Sequence, residues 1–296
     1  MNVPMNLALL GCGLLGGSLA AAWRKSGRVA SVSGYDLVST QAQRAVALGI
    51  IDRAAASVAD AVCDADCIVM ATPVGSMAAL LAELARHAPE KAIITDVGST
   101  KVELIVQARA ALGEAFARFV PAHPIAGGAL PGIEHASADL FQGCWVITTP
   151  QDLTQADALK QIEANWIACG ASVERMSADE HDRIFAAVSH LPHLVAFALV
   201  QLVASQPDGA RKLRFAGAGF RDFTRIAASD PAMWRDIALA NRNALGSELA
   251  QFRGQLERLQ AAVDRGDAQA LERLFAEASR VRRNQDFRTG GGDHDV

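Results

Sequence analysis

The stretch Gly11-Cys12-Gly13-Leu14-Leu15-Gly16 follows a short apolar run, residues 6–10, and opens a helical one, residues 14–25. A lone GxGxxG means little. Between a strand and a helix it is the fingerprint of a dinucleotide-binding turn. Gly11 permits the tight turn, Gly13 lets the backbone approach a pyrophosphate, and Gly16 allows close helix–strand packing. The helix N-terminus at Leu14 and Leu15 offers unpaired N–H groups and a positive dipole end to the phosphates. Asp36 closes the next apolar run, about 20 residues past Gly16. A carboxylate there accepts hydrogen bonds from ribose hydroxyls and repels a 2′-phosphate, so NAD is expected rather than NADP. Thr72-Pro73 ends a further strand at the carboxyl edge, where ligands bind in such sheets, and places Thr72 beside the cofactor. The competing readings are a packing turn for the glycines, a solvated turn for Asp36 and a plain strand terminator for Thr72-Pro73.

Outward from this turn, apolar runs alternate with helical ones. Strands are expected at 6–10, 30–35, 67–71 and 92–97, and helices at 14–25, 41–48, 77–87 and 101–117. Continuous apolar strands separated by helices mean a parallel sheet covered on both faces. Later strands are expected at 145–148 and 171–176, with a helix at 153–169 between them. After Met176 no strand pattern appears. Residues 182–203, 231–263 and 268–283 read as helices. The fold class is therefore α/β, a Rossmann-type dinucleotide-binding domain over 1–177, followed by an all-α domain over 178–287. Residues 288–296 are expected to be a flexible tail. The helix at 182–203 is apolar nearly all round, which calls for burial in a core or an oligomer interface.

Composition narrows the class. The chain has 296 residues, enough for two domains, and about half are apolar. The net charge of −4 points away from nucleic acid. Five cysteines, with no CxxC pair, read as small core residues in a reducing compartment. The first ten residues are too short for a signal peptide, and no apolar run is expected to reach the roughly 20 residues that span a bilayer. A soluble, cytoplasmic protein is expected, with no membrane partner.

Four segments carry chemistry. Asp96-Val97-Gly98-Ser99-Thr100-Lys101 lies between a strand and a helix. Thr100 and Glu103 fit a capping box, which leaves Ser99 over, near the cofactor's reactive end. His123 sits in Pro121-Ala122-His123-Pro124, at a strand end. Imidazole titrates near neutrality, so His123 is the candidate general base; an inert core histidine is the alternative. His190 and His193 share a helix face, and His181 is near in sequence. Metal binding is the lesser alternative for them, because no carboxylate motif of the HExxH kind accompanies the pair. Pro192 should kink that helix. Arg225 suits a carboxylate in a fork geometry, whereas Arg221 reads as a solvated residue.

Together these segments resemble the prephenate dehydrogenase family, which includes arogenate and cyclohexadienyl dehydrogenases. The stretches that carry the resemblance are GCGLLGGSLA, DVGSTK, HPIAG, HDRIFAAVSHLPHLVAFAL and FRDFTRIAASDPAMWRDI, running in order from Gly11 to Ile237. The resemblance implies oxidative decarboxylation of a cyclohexadiene acid with NAD, in tyrosine biosynthesis. Hydride leaves the hydroxyl-bearing carbon, carbon dioxide departs and the ring becomes aromatic. By the same resemblance His123 accepts the hydroxyl proton and Ser99 orients the hydroxyl and nicotinamide. Arg225 pairs with a substrate carboxylate, Asp222 holds that arginine, and His193 is a second polar contact. Trp234 matches a family tryptophan, with a core role as the alternative. The helical part resembles the family's dimerisation domain, which implies a homodimer with pockets between domains. Prephenate and arogenate both stay open as substrates. Where many members continue HPIAG with Ser or Thr and then Glu, this chain has Gly128-Ala129-Leu130-Pro131-Gly132, and the acidic residue is absent. That loop lies over the substrate in the family, so side-chain discrimination and tyrosine feedback both turn on it. Neither a chorismate mutase segment nor a regulatory ACT domain is expected.

Two rival readings stand beside this one. A β-hydroxyacid dehydrogenase joins similar domains but uses a lysine base, and residues 179–206 hold no lysine. A non-catalytic NAD-binding module would need the glycine turn but not His123, Ser99 and Arg225 together.

Overall fold

In this computed structural model the described residues are 4–127 and 130–285. Gly128 and Ala129 of the departing loop, and the expected tail, lie outside them.

β1 (Met5–Leu10) is buried along nearly its whole length. Leu7 and Leu9 join one core cluster and Ala8 and Leu10 another, one on each face. A strand that is apolar on both faces needs cover on both, so its neighbours run parallel and are joined by helices. In chain order follow α1 (Leu14–Lys25), β2 (Val29–Tyr35), α2 (Ser39–Ala47), β3 (Arg53–Ala54), α3 (Val58–Val62), β4 (Cys67–Met70), α4 (Met77–His87), β5 (Ile93–Asp96), α5 (Val102–Leu112) and β6 (Phe119–Val120). The sheet order is β3-β2-β1-β4-β5-β6, with every pair parallel. The order reverses between β1 and β4, and their carboxyl ends open the crevice in which such sheets bind ligands.

At Pro121 the chain leaves that sheet. β7 (Ala122–Pro124), β8 (Trp145–Thr148) and β9 (Ser172–Arg175) form a second sheet, with β7 antiparallel to β8 and β8 parallel to β9. α6 (Ala156–Ala168) joins β8 to β9. Its Trp166 packs edge-on against Trp23 of α1 and against Phe141.

Two expectations fail around α5. The helix stops at Leu112, because Gly113 takes φ +53° and the chain tightens into a 3₁₀ turn through Arg118. The capping box does not form: α5 has no side-chain cap, and Glu103 accepts from Gln107 instead. Lys101 at the helix start is fully buried and paired with the equally buried Asp96.

Contacts divide the chain inside α7 (Ala178–Phe185), at His181 and Asp182, about one turn past the boundary read from sequence. α7 runs through a π-turn, Ala186–His190, into α8 (Leu191–Ala204). Pro192 lies in the first turn of α8, directly after the π-turn, which takes up the irregularity that its missing N–H makes in a continuous helical run. The expected burial of 182–203 is found only in part: Asp182, Phe185, Ala186 and His190 are buried, but in α8 only Ala196 is. The whole run Ala178–Ala204 is long and apolar enough to cross a bilayer by length and composition, with mean hydropathy 1.6 and 17% of its most apolar window buried. This corrects the expectation that no run reaches that length. His190, His193 and Gln201 interrupt it with polar groups.

α9 (Gly209–Arg214) and α10 (Ala218–Thr224) follow. The single helix expected over 231–263 is two, α11 (Pro231–Ala240) and α12 (Arg242–Asp264), broken at Asn241. The buried Asn241 amide donates to the Asp182 carbonyl at 2.7 Å and meets His190 Nδ1 at 3.0 Å. α13 (Ala268–Asn284) ends the described chain.

Lys101→Met leaves the Asp96 carboxylate buried beside a thioether, and breaking one partner of a buried pair costs about 3–5 kcal/mol. Urea unfolding is expected to show a loss of that size, with part of it recovered in Lys101→Met/Asp96→Asn.

Candidate active site

The glycine turn is built by steric necessity at two of its three glycines. Gly11 has φ +104°, and a Cβ there would lie 2.5 Å from the Ala71 carbonyl oxygen. A Cβ at Gly16 would lie 2.3 Å from the Gly11 carbonyl oxygen. A Cβ at Gly13 would meet nothing within 4 Å, so the protein's own packing does not demand glycine there. The space beside it is open. Leu14 and Leu15 form the first turn of α1, which carries no acidic residue and so keeps its positive end for an anion.

Asp36 is half-buried at the end of β2. Its carboxylate accepts from the Cys12 N–H and the Val38 N–H, both at 2.9 Å. It thus ties the glycine turn to the neighbouring strand. Burial, helped by the Asp36 charge, pushes the Cys12 thiol up to about 12. It stays neutral and adds no negative charge beside a phosphate. Thr72 follows β4, and its hydroxyl is buried with no hydrogen-bond partner among the described residues. A buried hydroxyl left unpaired is costly; the Thr72 side chain borders Gly11 through its methyl group. One glycine carried an unread signal: a Cβ at Gly17 would lie 2.1 Å from Ile133 Cδ1. Gly17 is therefore needed to seat the segment after His123 on α1.

Beside the crevice, a single carboxylate organises the candidate chemistry. Asp96 ends β5 and is fully buried. Its Oδ2 accepts from the Gly98 N–H at 2.7 Å and from Lys101 Nζ, while its Oδ1 accepts from the Ala122 N–H at 3.1 Å. Burial raises its pKa, and Lys101 with the two N–H groups opposes that shift. The half-buried Ser99 lies in the turn between Gly98 and Lys101, and His123 is the residue after Ala122. The two segments meet at Asp96. His123 Nδ1 lies 2.8 Å from Nε2 of the fully buried His181. The sequence reading counted His181 only as a neighbour of His190 and His193; no spacing rule joins residues 58 apart.

The helical unit holds its own set. His193 stacks on Trp234, with centroids 3.6 Å apart and planes at 20°. Its Nδ1 lies 2.9 Å from the Ser189 carbonyl oxygen. A carbonyl only accepts, so that nitrogen carries the proton and Nε2 is an acceptor. Burial lowers the His193 pKa, as does the Arg225 charge, against the pull of the Ser189 bond. Arg225 starts a 3₁₀ turn after α10 and is exposed. Asp222 does not hold it through its carboxylate as expected. The link is the Asp222 carbonyl, which accepts the Arg225 N–H, because a residue three places back lies under its backbone in this turn. His190 is engaged by Asn241 and lies edge-on to Trp234. Among the described residues no group of three metal-ligating side chains comes together.

Two family models cover the chain: the prephenate dehydrogenase nucleotide-binding domain over residues 19–175, and the prephenate dehydrogenase dimerization domain over 177–277. The chain belongs to the prephenate dehydrogenase family. It is 37% identical to the prephenate dehydrogenase of Bacillus subtilis, over 96% of this chain and 75% of the relative. Its fold matches the crystal structure of prephenate dehydrogenase from Aquifex aeolicus in complex with hydroxyphenyl propionate and NAD+. That match has a TM-score of 0.88 and 35% identity and covers 96% of this chain and 99% of the other. Arogenate dehydrogenase from Synechocystis matches with a TM-score of 0.79 and 29% identity, covering 95% of this chain and 99% of the other. As a member of this family the chain has the two-part architecture read from its sequence, a Rossmann-type parallel sheet and then a helical domain.

The His193 environment has a pH consequence. Its pKa falls below 6.5 on folding, so the native state binds fewer protons than the unfolded state. The stability this contributes is full above about pH 6.5 and is lost as pH falls through the lowered native value. In unfolding titrations between about pH 7.5 and about pH 5.5, His193→Gln is expected to flatten the acid loss of stability relative to the parent. An unchanged slope would remove His193 as its source.

Proposed function

We propose that this family member is an NAD-dependent dehydrogenase of tyrosine biosynthesis that decarboxylates prephenate or arogenate as it oxidises it. The observation that carries the reading is Asp96. It joins the Ser99 turn to the strand bearing His123, at the sheet edge that also presents the dinucleotide turn.

Bound NAD supplies the oxidant, taking hydride from the hydroxyl-bearing carbon. The backbone at Gly13, the N–H groups of Leu14 and Leu15, the Asp36 carboxylate and the Thr72 hydroxyl are the groups that would hold it. His123 takes the hydroxyl proton, a task suited to imidazole near neutral pH. Ser99 orients that hydroxyl. The ring carboxylate departs as carbon dioxide, and aromatisation makes the step favourable. Arg225 binds a substrate carboxylate with its guanidinium fork. His193, kept neutral and held flat on Trp234, accepts a hydrogen bond at Nε2. The Asp222 carboxylate has no part in this reading.

The partner is a second copy of the chain, through the helical unit. Leu202, Phe215, Leu239, Val263 and Phe275 there are each more than half exposed, apolar groups that a second copy would cover. The family description of this region supports the same reading. All five cysteines are unpaired, which suits a cytoplasmic enzyme.

The test is NADH formation by purified protein with prephenate and arogenate offered separately, each with NAD and with NADP. Turnover with NAD on either acid is expected; none on both overturns the reading. His123→Asn is expected to lower kcat by about 10²-fold or more while NAD still binds. Arg225→Gln is expected to raise KM for the acid about tenfold, with a smaller fall in kcat, and an unchanged KM removes its carboxylate role. Sedimentation equilibrium should give a dimer; a monomer at every concentration would exclude the proposed interface.

A further inference from the structure

We infer that His181 is the positioning residue of the reaction: its imidazole accepts the Nδ1–H of His123 and so keeps the Nε2 lone pair of His123 turned to the substrate's hydroxyl. The inference rests on the reading of His123 as the base.

His123 Nδ1 and His181 Nε2 lie 2.8 Å apart, with ring centroids at 5.0 Å and planes at 63°. Two neutral imidazoles at that distance share one proton, so one nitrogen donates and the other accepts. If His181 Nε2 donates, the proton of neutral His123 sits on Nε2, and that nitrogen has no lone pair to take another. If His123 Nδ1 donates, Nε2 is basic. Only the second arrangement serves a base, and a histidine's partner at one nitrogen decides which form the ring adopts. His181 must therefore carry its own proton on Nδ1.

The place of His181 suits the task. It is fully buried on α7, with its backbone N–H bonded to the Ser177 carbonyl at 2.9 Å. A buried ring on a helix cannot swing out or trade the bond for water. A neutral acceptor also fixes the proton's place without setting an anion beside a site that takes a carboxylate substrate. When His123 has received the hydroxyl proton, its Nδ1–H still points at His181, so the bond survives the step that charges the ring.

The test compares His181→Leu, which cannot accept, with His181→Gln, whose carbonyl oxygen can reach the position of Nε2. Turnover is measured alongside NAD affinity, and ¹⁵N spectra of the histidine rings report which nitrogen of His123 is protonated. His181→Leu should lower kcat about tenfold or more with NAD affinity unchanged, and His181→Gln should recover most of that loss. The spectra should show Nδ1–H in the parent and the Gln variant, and Nε2–H in the Leu variant. Equal kcat in the two variants, or Nε2–H in the parent, overturns the inference. Should the Leu variant not fold, the parent spectrum alone decides. A His123→Asn enzyme with near-normal kcat would overturn the base reading itself, independently of where the His181 proton lies.

Discussion

The Asp96 carboxylate is the constraint on which the candidate site depends. It is an acid, wholly buried and placed where β5 ends, so its carboxylate must be surrounded by donors or be neutralised. Three donors meet it: Lys101 and two backbone N–H groups, from Gly98 and Ala122. Each belongs to a different local structure: a turn, a helix start and the entry to β7. One anion thereby fixes the spacing of the Ser99 turn and the His123 strand, although the two lie in different sheets or none. Burial makes the arrangement rigid, because no water can replace a lost partner.

The histidines follow a common logic. Each ring is held by a neighbour that settles what its nitrogens do. A carbonyl fixes the proton of His193 on Nδ1, and Trp234 fixes the plane of the ring. The Asn241 amide, anchored at the Asp182 carbonyl, occupies Nδ1 of His190. His181 occupies Nδ1 of His123. Each of the three rings is oriented by a hydrogen bond at one nitrogen.

Local rules read much of the fold. The glycine turn, α1, α4 and β8 stand where periodicity placed them, because each is long or strongly apolar enough for its pattern to show. β3 and β6 run to only two residues, too few to carry a period, whereas the strand end at His123 is legible from the Pro121 to Pro124 stretch. Asn241 was read as the middle of a helix because nothing local marks it; the buried carbonyl it serves is 59 residues away. The capping box at Thr100 and Glu103 was a sound local pattern that lost to the burial of Lys101. Among the site residues, the glycines, Asp36, Thr72, Ser99, His123 and Arg225 are legible from type and place; the His193 contact came from the resemblance, and the carboxylate role that it implied for Asp222 is not found.

The sequence by itself determined the class of the molecule: a parallel sheet with a dinucleotide turn, a helical second part and the identity of most candidate groups. These depend on short-range periodicity, on turns only glycine can make and on the chemistry of single side chains. Tertiary structure alone decided which groups act on one another. His123 meets His181, Asp96 joins two loops, Gly17 makes way for Ile133, and the apolar run from Ala178 to Ala204 is left largely uncovered within the chain. Contacts between residues far apart in the chain follow from packing the whole core at once, and no window of sequence contains them.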